Sequence, residues 1–144
     1  MSKDYLKYTI SYNYEQRLAQ YDIKGSIAHS KMLAKQGIIS NKEMEKIHSG
    51  LLSVLKEIED KKFIWKPELE DIHMNIEFRL TEIIGEIGSK LHTARSRNDQ
   101  ISLDMRMYVK DLNIQAINGL SKLIKTIVKL SEQNSDIIVP GYTH

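Results

Sequence analysis

The chain has 144 residues, of which 41% are hydrophobic and 28% are charged, a composition typical of a folded globular protein and not of a disordered one. Its 21 basic and 19 acidic residues leave a formal net charge of +2, which is too small to indicate nucleic acid or an anionic membrane as a partner. The sequence contains no cysteine, which excludes disulfides, thiolate metal ligands and a cysteine nucleophile.

No apolar run approaches the ~20 residues that a membrane-spanning helix needs. The first five residues have no apolar segment of the kind found in signal peptides. We therefore expect a cytoplasmic protein with no membrane partner. The chain has only 2 prolines and 7 glycines, and its apolar residues recur at helical spacing, so an all-α fold is predicted.

The first two helices have clear boundaries in the sequence. One is expected from about Tyr21 to Gln36, followed by Gly37, which can adopt the left-handed conformation that ends helices. Residues 40–43, Ser-Asn-Lys-Glu, form a capping box that predicts the start of the second helix. The polar segment 60–70 contains Pro67 and is predicted to be a loop whose apolar residues 63–65 pack onto the helices.

A third helix is predicted from about Asp71 to Ile87 and a loop from residue 89 to residue 97. The fourth helix starts near Asn98 and has no interruption before Asn134, which makes it roughly 50 Å long at 1.5 Å per residue. A rod of that length indicates a bundle, a coiled coil or an oligomer. We therefore predict an N-terminal helical domain over residues 1–95 and the start of a second domain over 96–144.

The loop at residues 91–100, Leu-His-Thr-Ala-Arg-Ser-Arg-Asn-Asp-Gln, is the strongest candidate site. It precedes a helix N-terminus, where free N–H groups and the helix dipole favour anions. Two arginines beside serine and asparagine would bind carboxylate or phosphate. The alternative, a capped helix start with two solvated arginines, is somewhat favoured on spacing alone.

Three other segments carry candidate residues. Asp71 and His73 could contact a substrate, or Asp71 could simply be the N-cap of the third helix; their spacing argues only weakly for a metal. Gly25 and Ser26 lie inside a helix, where glycine costs ~1 kcal/mol relative to alanine, so close helix packing or a ligand is expected there. The chain ends on residues 139–144, Val-Pro-Gly-Tyr-Thr-His, whose histidine could act as a general acid or base.

Taken together, four segments resemble the argininosuccinate lyases of the fumarase/aspartase superfamily. The segments are Asp-Ile-Lys-Gly-Ser at 22–26, Glu-Asp-Ile-His at 70–73, the loop with its preceding lysine at 90–100, and Pro-Gly-Tyr-Thr-His at 140–144. The resemblance runs from about residue 8 to residue 144, and the third segment is highly specific. It implies an all-α fold, in which a small helical domain precedes the first long helix of a central bundle shared by four subunits.

The resemblance also implies an activity, the reversible cleavage of argininosuccinate to arginine and fumarate without a cofactor or metal. Hydrogen-bond donors aimed at the substrate carboxylate would stabilise the charge that develops there. By motif, His144 resembles the histidine that takes part in proton transfer, on the acid side. The residues that resemble the substrate-binding set are Ser26, Asp71, His73, Ser96, Arg97, Asn98 and Thr143.

The chain also departs from the family. It lacks the Trp-Gly-Gly-Arg-Phe-like start, and the mobile serine loop that supplies the base in the family lies downstream of His144. Because the family's sites combine motifs from three subunits, we expect the 144-residue chain to be an N-terminal fragment without lyase activity of its own. Two alternatives stay open: a crystallin-like structural relative, and another fumarate-releasing lyase of the superfamily.

Overall fold

The computed structural model of the protein describes residues 8–143, and this part of the chain contains helices and no β-strand. The predicted all-α fold is confirmed. After a helical turn at Tyr12–Glu15 and a 3-10 turn at Gln16–Leu18, four longer helices follow: α1, Ala19–Lys35; α2, Asn41–Glu59; α3, Ile72–Ile84; and α4, Arg97–Gln133. Within the described residues, no helix combines the length and the apolar character needed to span a bilayer.

The boundaries between α1 and α2 are set by local sequence, as predicted. Gly37 has φ of +72°, and the N–H of Ile38 donates to the carbonyl of Leu33 at 2.9 Å, as in a Schellman motif. The Ser40 hydroxyl accepts from the backbone N–H of Glu43 while the Glu43 carboxylate accepts from the backbone N–H of Ser40. Each cap satisfies backbone groups that a helix end leaves unpaired.

The end of α3 differs from the prediction. The α-helix ends at Ile84 and not at Ile87, because Gly85 adopts φ of +73°, a conformation that few other residues tolerate. The chain then continues as a 3-10 helix over Gly85–His92, where a loop was predicted from residue 89. Gly88 is buried against α3: a Cβ there would lie 2.8 Å from the Thr81 hydroxyl. Its role is close packing and not helix termination.

The core lies between α1, α2, α3 and the 3-10 helix at Gly85–His92. Phe63 and Trp65 pack against it from the connecting segment, as expected, whereas Ile64 points away and is 79% exposed. The fully buried apolar residues that form this core include Ile23, Leu33, Ile47, Leu51, Val54, Ile76, Leu80 and Leu91. This packing holds α1 and α3 in fixed positions, and both helices contribute to the candidate site.

Contacts between residues divide the chain into two compact units, one that ends at Tyr108 and one that begins at Val109. The first unit contains α1 to α3 and the first three turns of α4. The second contains the rest of α4 and the C-terminal segment, and its described residues are all exposed. The domain boundary near Arg95, proposed from the sequence for the longer protein, stays a prediction.

Candidate active site

Side chains from α1, α3 and the start of α4 meet in one polar network in the first unit. The segment at residues 93–96 between the 3-10 helix and α4 turns sharply at Ala94, which has φ of +54°, and directs Arg95 and Arg97 towards α1 and α3. Three of the predicted site residues are part of this network, Asp71, His73 and Arg97, and a fourth, Ser26, is hydrogen-bonded to Arg95.

Arg97 occupies the centre of the network. One of its terminal nitrogens, Nη1, donates to Glu77 Oε1 at 2.9 Å and to Gln100 Oε1 at 2.6 Å. Its Nε lies 3.7 Å from Asp71 Oδ2. The Asp71 carboxylate also caps α3 by accepting from the backbone N–H of Met74 at 2.6 Å. The arginine is thus held rigidly at the start of α4, with 26% of its side chain exposed.

Behind Arg97 lies a buried group of acidic and imidazole side chains. The Gln100 amide donates to Asp22 Oδ1, and His73 Nδ1 lies 3.2 Å from the same oxygen and 3.8 Å from Asp104 Oδ2. Asp22, His73 and Asp104 are each at most 1% exposed. Charged groups so deep in the unit were not predicted from the sequence; three helices bring them together.

Burial shifts the protonation equilibria of this group. Burial and, to a smaller extent, the neighbouring charge of Asp22 together raise the pKa of Asp104 to about 7. Burial alone would lower the pKa of His73, but hydrogen bonding and charge from Asp22 outweigh that effect and leave it above its ordinary value. Burial lowers the pKa of the Arg95 guanidinium. Shifts of this kind are typical of functional sites, although structural networks also produce them.

An open cleft of about 380 Å³ is lined by residues of α1, of the segment before α4 and of the start of α4. Arg95, which lines it, donates from Nη1 to the Ser26 hydroxyl at 2.8 Å, and His29 Nε2 is 2.9 Å from the Thr93 carbonyl. Burial lowers the pKa of His29, and the charge of Arg95 lowers it further. Ala28 and Met32 of α1 also line this cleft, and both are exposed.

Two predicted residues of the loop, Ser96 and Asn98, are exposed at the start of α4, and Ser96 lines the cleft. Thr143 is exposed in the second unit, and His144 lies outside the described residues. The structure therefore shows three of the predicted residues in one polar network, Ser26 paired with Arg95, and two accessible side chains at the start of α4.

Sequence reasoning did not assign Glu77 or Asp104 to the site, and it included Gln100 only as the last residue of the candidate loop, without a role. A pattern that could have indicated them is present: Asp22 and Ser26, His73 and Glu77, and Gln100 and Asp104 are each four residues apart on their helices. Residues at this spacing share a helix face. A polar pair on the face that otherwise carries core residues predicts a buried polar network.

Comparison with known proteins gives a consistent result. The chain is similar to proteins named argininosuccinate lyase: 51% identical over 138 residues to one from Geobacter sulfurreducens, 50% over 137 residues to one from Syntrophotalea carbinolica, and 49% over 138 residues to one from a Sulfurihydrogenibium species. These matches cover 95–96% of this chain and 30% of each relative, so the chain spans about a third of their length. A family model described as Lyase matches residues 2–144, and the chain therefore belongs to this lyase family.

Proposed function

We propose that this chain carries part of the active site of an argininosuccinate lyase, a carbon–nitrogen lyase of arginine biosynthesis. The observation that carries the proposal is the segment from Arg95 to Asn98. It places two guanidinium groups and two accessible polar side chains at the N-terminus of a long helix, beside an open cleft. This arrangement suits a small substrate with several carboxylates.

The proposed reaction is an elimination. A base removes a proton from the carbon next to a substrate carboxylate, the bond to the guanidino nitrogen breaks, and its electron pair goes to the departing nitrogen, which accepts a proton. The products are arginine and fumarate. The negative charge that builds up on the carboxylate is the feature that positioned donors would stabilise.

Roles are proposed for the individual residues on this basis. Ser96, Arg97 and Asn98 bind the substrate carboxylates and its arginine part. Ser26, supported by the hydrogen bond from Arg95, and His73 contact the substrate, and Asp71 supports Arg97. Thr143 supplies a hydroxyl to a carboxylate, and His144 delivers the proton to the leaving nitrogen.

No residue of this chain is assigned as the catalytic base. We propose that the active enzyme is a cytoplasmic homotetramer. The exposed apolar side chains of α4 beyond Val109 support association of this kind, because an apolar helix face of that length needs a partner. We accordingly expect the 144-residue chain to release no fumarate when it is incubated alone with argininosuccinate.

A chimera tests the proposal directly. The chain replaces the corresponding 30% of the Geobacter sulfurreducens relative, and fumarate is followed by its ultraviolet absorbance. We expect the chimera to cleave argininosuccinate and to leave aspartate and adenylosuccinate intact. Arg97→Gln in the chimera should lower kcat/KM by about 100-fold or more, as for the loss of a positioned charged donor.

The relative's own sequence serves as the positive control. A chimera that folds and assembles like the relative but releases no fumarate would contradict the proposal and would favour a structural role. Release of fumarate from aspartate or adenylosuccinate instead would assign the chain to another lyase of the superfamily.

A further inference from the structure

The carboxylate of Glu77, on α3, contacts both ends of the segment at residues 93–96. Its Oε1 accepts from Arg97 Nη1 at 2.9 Å and lies 3.1 Å from His92 Nδ1. Its Oε2 accepts from Arg97 Nη2 at 3.4 Å. His92 is the last residue of the 3-10 helix and Arg97 is the first residue of α4. One side chain therefore connects the residue before this segment to the residue after it.

The contact with Glu77 determines how the guanidinium of Arg97 is oriented. A carboxylate that accepts from two nitrogens of a guanidinium fixes the plane of the group as well as its position. Nη1 donates to Glu77 and to Gln100, and Nη2 donates once, to Glu77. Asp71 Oδ2 lies 3.7 Å from Nε, which is beyond hydrogen-bond distance. The N–H of Nε and the second N–H of Nη2 donate to no group in residues 8–143.

We propose that Glu77 is a positioning residue for catalysis. It holds the guanidinium of Arg97 so that the N–H groups of Nε and Nη2 are directed to a substrate carboxylate. The inference rests on the proposed function, in which Arg97 binds the substrate. Glu77 acts through Arg97 and does not bind the carboxylate itself, because two negative charges at close range repel each other.

An opposite effect of Glu77 follows if its charge matters more than its geometry. The negative charge of Glu77 lowers the positive potential beside Arg97, so its removal would then strengthen the binding of an anionic substrate. We expect the geometry to dominate, since a displacement of about 1 Å in a positioned group can lower the rate about 100-fold. The sign of the change in KM therefore separates the two effects.

Glu57 and Arg79 form a matched pair away from the candidate site. Glu57, on α2, accepts from Arg79 Nε at 2.8 Å and from Arg79 Nη2 at 2.7 Å. The Glu57 side chain is 27% exposed and that of Glu77 is 24% exposed. The pair joins α2 to α3 as Glu77 and Arg97 join α3 to α4. If Glu77 served only the stability of the fold, Glu57→Gln should be at least as damaging as Glu77→Gln.

Kinetics of the chimera described above test the proposal. Glutamine has the shape of glutamate but only one acceptor oxygen, so Glu77→Gln cannot accept from both nitrogens of Arg97 in the same way. We expect kcat/KM for argininosuccinate to fall about 10- to 100-fold, with a rise in KM, which a smaller folded fraction would not cause. Glu57→Gln should stay within about twofold of the unsubstituted chimera. Glu77→Gln should have no further effect in a chimera that already carries Arg97→Gln.

NMR of the arginine side-chain nitrogens in the 144-residue chain tests the same contact without substrate. We expect separate signals for Nη1 and Nη2 of Arg97 in the wild type and in Glu57→Gln, because the contact with Glu77 slows rotation about the Nε–Cζ bond. Glu77→Gln should give one averaged signal. Arg97→Gln identifies these signals by their loss.

The two measurements distinguish failure of this inference from failure of the proposed function. A wild-type chimera without activity contradicts the proposed function, while the NMR comparison still decides whether Glu77 holds Arg97. The positioning role is overturned if the Arg97 signals are the same in Glu77→Gln, or if Glu77→Gln lowers KM. It is also overturned if Glu77→Gln is equally damaging in the Arg97→Gln chimera, or if Glu57→Gln lowers kcat/KM as much.

Discussion

Gln100 connects the exposed and the buried parts of the site. Its side-chain amide donates to Asp22 on one side and accepts from Arg97 on the other. Because a carboxylate can only accept and a guanidinium can only donate, these two neighbours determine the orientation of the amide. A neutral group that both donates and accepts is therefore required at this position, and neither glutamate nor lysine can replace it.

Gln100→Glu tests this requirement. The variant places a third carboxylate against the buried Asp22 and removes the donor, so we expect a loss of about 3 kcal/mol in the free energy of unfolding. Urea unfolding at pH 7 measures it. The same change at Gln115, which is exposed on α4, should alter stability by less than about 0.5 kcal/mol. Equal losses for the two variants would show that the buried amide has no special role.

Two glycines inside helices illustrate how the same residue has different roles in different elements. A Cβ at Gly50 of α2 would lie 2.6 Å from Leu80 Cδ1 and 2.9 Å from Ile84 Cγ2, both on α3. A Cβ at Gly119 of α4 would meet no atom within 4 Å. Gly50 therefore permits α2 and α3 to approach closely. Gly119 makes no such contact, and its only effect is to destabilise α4 through the backbone entropy that glycine loses on folding.

Alanine at the two positions should consequently have opposite effects. Gly50→Ala is expected to destabilise the protein by about 1–3 kcal/mol, because α2 and α3 must separate or repack. Gly119→Ala is expected to stabilise α4 by about 1 kcal/mol, since alanine is the better helix former. Chemical denaturation followed by circular dichroism measures both. A stabilising Gly50→Ala would mean that the two helices can move apart without cost.

Glu43, in the capping box at the N-terminus of α2, should make the free energy of unfolding of the protein depend on pH. Hydrogen bonds from Lys90 and Ser40 hold the pKa of Glu43 well below its usual 4.5, at about 2. Between pH 2 and pH 4.5 the Glu43 carboxyl is therefore protonated more often in the unfolded chain than in the folded one. The stabilisation by Glu43 is consequently present above pH 4.5 and is lost as the pH falls towards 2.

Glu43→Gln should reveal this effect while keeping a residue that can complete the capping box. We expect the variant to be less stable than the wild type at pH 6 and the difference to shrink as the pH is lowered to about 3. Urea unfolding at each pH measures the difference. Glu45→Gln, a change on the exposed surface of the same helix, is the control. A difference that stays constant with pH would contradict the assignment.

At the scale of the whole molecule, the features predicted from sequence are those encoded by neighbouring residues. Gly37, the capping box at 40–43 and the cap at Asp71 act within one helical turn, and the structure confirms each of them. The 3-10 helix at Gly85–His92 was missed because it depends on the fit of Gly88 against Thr81. The cluster of Asp22, His73 and Asp104 was missed because its members come from three helices, and only packing brings them together.

The second unit carries the last prediction, which follows from its exposed apolar residues. Leu120, Leu123 and Ile127 of α4 are 59%, 55% and 55% exposed, and their spacing places them on one face of the helix. Exposed apolar faces of this extent favour association. We expect the 144-residue chain to self-associate through this face with the same face of a second copy, as a dimer of paired helices or a larger bundle.

Light scattering coupled to size-exclusion chromatography measures this association. The double variant Leu123→Lys/Ile127→Lys should be monomeric at concentrations where the wild type is not, because two charges on the apolar face oppose its burial. Asn118→Lys/Ser121→Lys adds the same charge on the opposite side of α4 and should associate like the wild type. A wild-type chain that stays monomeric at high concentration would show that the exposed face does not pair with itself. If Asn118→Lys/Ser121→Lys also makes the chain monomeric, the added net charge, and not the apolar face, would be the cause.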